Sequence, residues 1–495
     1  MFDQSQIDTL RDAPVPPGRL LIDGAWREAR DGATIDRLTP IDGSVLTTLA
    51  DADAADVEDA VAAARAAFAD RRWAGQAPAA RKKVLLRWAE LIEANALELA
   101  VLGVRDNGTE IAMAAKAEVG SAANTIRWYA EAIDKIYGEI APTDDGALGL
   151  IHREPVGVIG AIVPWNFPLM IGTWKLAPAL AAGNSVVLKP AETASLSLLR
   201  ICELALEAGL PAGVLNVVTG RGAVSGQALS MSMDVDALVF TGSGATGRRL
   251  LEASPKSNLK RVYLELGGKS PNIVFDDVGD IAEAAKVSAA GIFRNSGQVC
   301  VAGSRLLVQR GVADEFVAAL SEAAAKMRVG DPLDLTTQAG AINSQAQLDQ
   351  VLGFVDDAVD QGARVALGGQ RILEETGGYY MAPTVVTDVA PDHRLFRDEV
   401  FGPVLAVTTF EDEAEAIHLA NATDYGLAAG VWTSNLGRAH RMIRAVQAGV
   451  VHVNTYGGPD ITVPLGGVKQ SGNGHDKSLH AFDKYVDLKT AWIKL

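Results

Sequence analysis

The chain has 495 residues, 48% hydrophobic and 21% charged, with a formal net charge of −16. That length exceeds one ordinary core and predicts two or three domains, while the acidity disfavours nucleic acid or anionic membrane as a partner. No run of about 18 apolar residues escapes Gly, Pro or a charge, so no membrane span is expected.

In chain order, residues 53–71 place Val57, Ala60, Val61, Ala64, Ala67 and Phe68 on one helical face, with acidic residues crowding the first turn. "RKKVLLRWAELIEANALELAVL" reads as a second helix over 81–102. The period then changes. "VGVIGAIVPW", "SVVLKP", "VLNVVTG", "ALVFTGS" and "NIVF" are short branched apolar runs, with helical stretches such as "SLSLLRICELALEAG" between them. "RLLVQ", "LAVTTF", "AAGVWT" and "GVVHVN" continue the series. Strand–helix alternation of this kind predicts an α/β fold with parallel sheets covered by helices on both faces. Ligands in such folds bind beyond the carboxyl ends of the strands.

The strand ends carry the candidate chemistry. "FTGSGATG" places Gly242, Gly244 and Gly247 in a G-x-G-x-x-G spelling between a strand and a helix, which suits a phosphate cradle but also any tight turn. The acidic residue expected about 20 positions on is Glu265, yet it stands in "YLELGGKSP", which resembles a catalytic turn more than a ribose clamp. Lys189 and Glu192 follow a strand in "VVLKPAE", either as ribose ligands or as a solvated pair at a helix start. Asn166 sits between two prolines in "PWNFP", where a rigid amide suits an oxyanion donor, although Asn is also common in turns.

Only two cysteines occur, Cys202 and Cys300, and seven histidines show no H-E-x-x-H spacing. No disulfide framework or zinc pattern results, which points to a reducing compartment and metal-free chemistry. The amino-terminal "MFDQSQIDTLRDAPVPP" lacks the basic start and apolar core of a secretory signal, so cytoplasm is the expected compartment. Cys202 lies in a helical pattern and reads as core. A free cysteine is usually a buried small hydrophobe, but Cys300 lies in "NSGQVCVAGSR", whose small residues bring backbone close to the sulfur.

"PWNFP", "KPAE", "FTGS", "ELGGK", "GQVC" and "EVFGPV", in that order, resemble the NAD(P)-dependent aldehyde dehydrogenase superfamily. The likeness runs from about residue 20 to the C-terminus. "IRWYAEAIDKIYGE" and "VPLGGVKQSGNGHDKSLHAFDKY" are most similar to bacterial gamma-glutamyl-gamma-aminobutyraldehyde dehydrogenases and related aminoaldehyde enzymes. The resemblance implies that Cys300 is the nucleophile, Asn166 an oxyanion donor and Glu265 the general base. It implies NAD as cofactor, NADP being less favoured, held by Trp165, Lys189, Glu192, Gly222, Gly242, Ser243, Leu266, Glu399 and Phe401. The dinucleotide of this family lies differently from the usual mode, so little weight falls on Gly244. The implied aldehyde site comprises Phe167, Trp174, Val299, Val301, Tyr456 and Asp460, and the implied substrate is an omega-amino or gamma-glutamylamino aldehyde, the alternative being a broad aliphatic or betaine aldehyde dehydrogenase.

By the same resemblance, residues 1–132 and 156–266 form a dinucleotide-binding domain and 267–468 a catalytic domain. Residues 133–155 and 469–495 form a bridging sheet, and the expected assembly is a homo-oligomer, a dimer or a dimer of dimers. A coenzyme-A-acylating relative would lack the base at Glu265, and a purely structural relative need not keep Cys300, Glu265 and Asn166 together.

Overall fold

The computed structural model describes residues 2–458 and 460–495. Two open seven-stranded sheets organise it. In the first, Arg261–Glu265, Ala237–Thr241, Val158–Ile162, Ser185–Lys189 and Leu215–Val217 run parallel in that spatial order. An amino-terminal hairpin, Leu20–Ile22 with Ala25–Arg27, extends it antiparallel. All five residues are buried in each of the strands Val158–Ile162, Ser185–Lys189 and Ala237–Thr241. This is why they read as continuous apolar runs: helices cover both faces.

The second sheet runs Arg364–Leu367, Thr384–Thr387, Val404–Phe410, Arg305–Gln309, Pro271–Val274, Ala428–Trp432 and Val450–Val453. All its pairs are parallel except that of Arg364–Leu367 with Thr384–Thr387. A separate three-stranded sheet sets Ala147–Pro155 between Glu139–Ala141 and Val486–Lys494. The strand Val486–Lys494 is its edge, and Leu488, Trp492 and Ile493 on it are exposed.

The helix expected over 53–71 is Ala54–Ala69, held at its start by a reciprocal capping box between Asp53 and Asp56. The single helix expected over 81–102 is two, Pro78–Ala94 and Ala96–Asn107, broken at Asn95. There the Asn95 amide donates to the Leu91 carbonyl at 2.7 Å, the kind of local side-chain bond that ends helices. No described helix is long and apolar enough to cross a membrane.

In the first sheet the strand order reverses between Val158–Ile162 and Ala237–Thr241, so "PWNFP" and "GSGATG" emerge side by side at its carboxyl end. Glu265 ends the neighbouring strand, and the chain crosses from there through Gly267-Gly268-Lys269-Ser270 into the second sheet. The thiol loop instead lies at the amino end of the second sheet, just before Arg305–Gln309. The site therefore occupies the joint where the carboxyl end of one sheet meets the amino end of the other.

Candidate active site

Cys300 is half-buried at the end of a loop with unusual backbone. Asn295, Ser296 and Gly297 all have positive φ, at 50°, 50° and 72°. Such conformations persist only where surroundings enforce them. Here Ser296 Oγ donates to the Gly340 carbonyl at 2.7 Å, and Gln298 Oε1 accepts from Asn343 N at 2.9 Å. Gly297 could carry no side chain, since a Cβ would lie 2.1 Å from the Gly402 carbonyl oxygen. Burial, together with the charges of Glu399 and Glu265, pushes the Cys300 thiol up to about 12, so the resting group is a thiol.

Asn166 stands at the carboxyl end of the first sheet, ahead of the helix Pro168–Ala182. Its Nδ2 donates to the Gln298 carbonyl at 2.9 Å, and its own carbonyl accepts from Asn295 Nδ2 at 3.3 Å. The amide is thus tied to the thiol loop across the joint, with a second N–H in reserve.

Glu265 is buried, and its Oε1 has no hydrogen-bond partner among the described residues. Burial and the neighbouring Asp476 hold its carboxyl well above the ordinary range, while Lys175 and Lys484 pull the other way. These three form a buried ion cluster: Asp476 Oδ2 accepts from Lys175 Nζ, and Asp476 Oδ1 from Lys484 Nζ at 2.5 Å. The cluster is held against Glu265 because Asn473 N and Gly474 N both donate to the Leu264 carbonyl, at 3.0 and 3.1 Å. None of the three was singled out from sequence. A signal existed for one: Lys175 is the only charge in "PLMIGTWKLAPALAA", a helix buried along almost its whole length.

The residues implied for the cofactor fall into two groups. Glu192 accepts from Lys189 Nζ at 3.3 Å and from Gly222 N at 3.4 Å. Ser243 caps the helix Gly244–Ala253, its Oγ accepting from Thr246 N. Gly242 starts this turn, and Leu266 packs beside Gly247. The second group lies at the joint. Glu399 Oε1 accepts from Gly268 N at 2.9 Å, and burial pushes its carboxyl up to about 7. Phe401, at φ 57°, stacks edge-on against Trp165 with ring centroids 5.2 Å apart.

Phe167 and Trp174 form an apolar cluster with Ile171 and Leu465, against which Val299 and Val301 pack. The other two implied substrate residues lie outside that cluster. Tyr456 is buried behind the thiol loop, its hydroxyl donating to the Val301 carbonyl at 2.8 Å. Asp460 is exposed and accepts from Thr462 N at 2.9 Å.

Residues 26–491 match the model of the aldehyde dehydrogenase family, and the chain belongs to that family. It is 50% identical over 477 residues to the NADP/NAD-dependent aldehyde dehydrogenase PuuC of Escherichia coli, covering 96% of each chain. The crystal structure of a gamma-glutamyl-gamma-aminobutyraldehyde dehydrogenase from Burkholderia cenocepacia superposes with a TM-score of 0.98, at 50% identity and full coverage of both chains. An indole-3-acetaldehyde dehydrogenase in complex with NAD+ gives the same TM-score at 49% identity, again over the whole of both chains. The protein is an oxidoreductase that oxidises an aldehyde to the carboxylic acid with a nicotinamide cofactor.

Proposed function

We propose that Cys300 is the nucleophile, Asn166 an oxyanion donor and Glu265 the hydrolytic base in NAD-dependent oxidation of an omega-amino or gamma-glutamylamino aldehyde. The observation that carries this reading is their convergence on one joint, with Asn166 bonded to the thiol loop and Glu265 and Cys300 within each other's field. The residues present also fit the dinucleotide. A cavity of about 840 Å³ opens over Glu192 and Gly222, and nothing lies within 4 Å of where a Gly222 Cβ would stand. Lys189 and Glu192 would take the adenine ribose, and Gly222, Gly242 and Ser243 the pyrophosphate beside a helix start. Glu399, with Trp165, Leu266 and Phe401, would take the nicotinamide end. The bound cofactor supplies the acceptor for hydride leaving the aldehyde carbon.

The residues divide the remaining work. Cys300 gives up its proton to water in the site as its sulfur bonds to the aldehyde carbon, and the resulting oxyanion receives hydrogen bonds from Asn166 Nδ2 and the Cys300 N–H. Loss of hydride leaves an acyl thioester on Cys300. Glu265, as carboxylate, takes a proton from water as the oxygen adds to the thioester carbon; the thiolate departs, the acid is released, and the proton on Glu265 returns the sulfur to the thiol. The apolar wall of Phe167, Trp174, Val299 and Val301 would hold the substrate chain and exclude bulk water.

NAD is the favoured cofactor because the Glu192 carboxylate would repel a 2′-phosphate; Lys189 beside it and Arg221 on the cavity wall soften that preference. The exposed edge Val486–Lys494 supports assembly as a dimer or dimer of dimers by strand addition. Two unpaired cysteines are consistent with the cytoplasm. The domain division given above remains part of this proposal, supported by the two seven-stranded sheets and the separate three-stranded one. Single-turnover kinetics test the reading: Cys300→Ala should form no NADH, and Glu265→Gln should give one burst of NADH and an acyl-enzyme visible by intact mass. Turnover in a folded Cys300→Ala protein would remove it.

A further inference from the structure

The wall of Phe167, Ile171, Trp174 and Leu465 is apolar, and the side chains packed against it, among them Met113, Met170 and Val299, are uncharged. A cation meets it nonetheless. Lys477 is 5% exposed, and its Nζ lies 5.9 Å from the centre of the Trp174 ring, within reach of the π face. Backbone fixes it there. Lys477 and Ser478 both have positive φ, at 65° and 49°, which persists only where the surroundings enforce it. On one side Asp476 and Leu465 exchange backbone hydrogen bonds at 2.7 and 2.8 Å; on the other, Ser478 N donates to the Ile461 carbonyl at 2.7 Å. Lys477 is thus stitched between Leu465 of the wall and the segment that carries Asp460. An apolar side chain of this length would meet the packing need, and burying an ammonium costs desolvation. The charge therefore belongs to the site rather than to the core.

We propose that Lys477 selects aldehydes whose far end carries a carboxylate, which favours the gamma-glutamylamino form over the free omega-amino form and adds semialdehydes ending in a carboxylate as substrates. This rests on Phe167, Trp174, Val299 and Val301 being the substrate wall. An ammonium at the end of the substrate chain would meet a like charge beside an apolar surface, where screening is weak; a carboxylate would meet an opposite one. In a gamma-glutamyl end the α-carboxylate turns to Lys477 and the α-ammonium to solvent. A bound carboxylate would also favour the charged form of Lys477, which burial pushes down and Asp460 holds up. Asp460 feels the same cation: its carboxyl is held below the usual range, first by Thr462 and to a lesser extent by Lys477. That carboxylate is exposed and engaged by Thr462 N, so water screens it from the wall. Lys477 is a specificity residue; it meets the far end of the substrate and does not touch the reacting carbon.

Straight-chain aldehydes ending in a carboxylate, an ammonium or a methyl group, matched over three to seven methylenes, test this with the full chain and NAD. At the lengths that reach Lys477, kcat/KM for the carboxylate series should exceed that for the methyl series by about tenfold or more. In Lys477→Met that ratio should collapse toward unity and the ammonium-to-methyl ratio should rise, while Lys477→Arg, which keeps the charge, should keep the preference. Each ratio is taken within one preparation, so it does not depend on the folded fraction. A wild-type protein with no carboxylate preference at any length overturns the proposal, as does an unchanged ratio in Lys477→Met. Equal loss of preference in Lys477→Arg overturns it too, since packing and not charge is then being read. Trp174→Ala run in parallel separates this from the reading beneath it: if it shifts KM in all three series while Lys477→Met changes no ratio, the wall stands and only the charge selection fails.

Discussion

The two cysteines occupy opposite kinds of environment, yet burial raises the pKa of both. Cys202 lies in the helix Leu196–Glu207, fully buried among Leu198, Ile201 and Leu204. Cys300 lies half-buried at the joint of two sheets, shortly after the positive-φ stretch Asn295-Ser296-Gly297. A low resting pKa therefore does not distinguish them. Access does, together with neighbours able to accept the proton and to stabilise charge on the carbonyl oxygen. Reactivity here is assembled by the fold around an otherwise ordinary thiol.

The sharpest break of this comparison is a pair of substitutions. Cys300→Ala should abolish NADH formation while leaving NAD binding, followed by calorimetry, largely intact; Cys202→Ala should keep specific activity. If both lost activity equally, environment would not be the distinction.

Glu265→Gln should slow steady-state turnover by about 100- to 10,000-fold while sparing the burst. The wild-type pH profile refines the point. Glu265 acts only as carboxylate, and burial with Asp476 raises its pKa. Deacylation should accordingly rise with pH along a limb displaced above the ordinary carboxylate range, and be lost as pH falls through it. A limb near an unperturbed carboxylate would separate the base from the buried cluster.

Asn166→Ala removes one oxyanion donor, an effect of about 100- to 1000-fold on kcat, expected in the burst as well as in steady state. A burst of normal rate would assign Asn166 only to holding the Gln298 carbonyl. On the cofactor side, Glu192→Gln should improve kcat/KM for NADP relative to NAD by about tenfold. The smallest effect is expected at Asp460. Its carboxylate is solvated and engaged by Thr462 N, so Asp460→Asn should leave the kcat/KM ratio of 4-aminobutanal to hexanal unchanged. A selective rise in KM for the aminoaldehyde would bring that loop into the site.

Much of this was legible in the chain itself. The alternating strands and helices, Asn166 between prolines, the helix start at Ser243 and the small residues around Cys300 are local demands of backbone geometry, and local demands leave local patterns. The break at Asn95 was missed because a long apolar period overrode one short polar side chain. The amino-terminal hairpin was missed because strands of three residues carry no usable period.

What the tertiary structure alone decided is the meeting of distant parts. The thiol stands at the amino end of the second sheet, against the rule for ligand sites on open parallel sheets, because the site lies where two sheets abut. Lys175 and Asp476 are 301 residues apart in sequence, and the Lys175–Asp476–Lys484 cluster exists only once the carboxyl-terminal segment is laced to the strand of Glu265. A charge's burial depends on which surfaces close over it, and no run of neighbouring residues encodes that. The chain specified the reactive groups; packing specified which charges they feel.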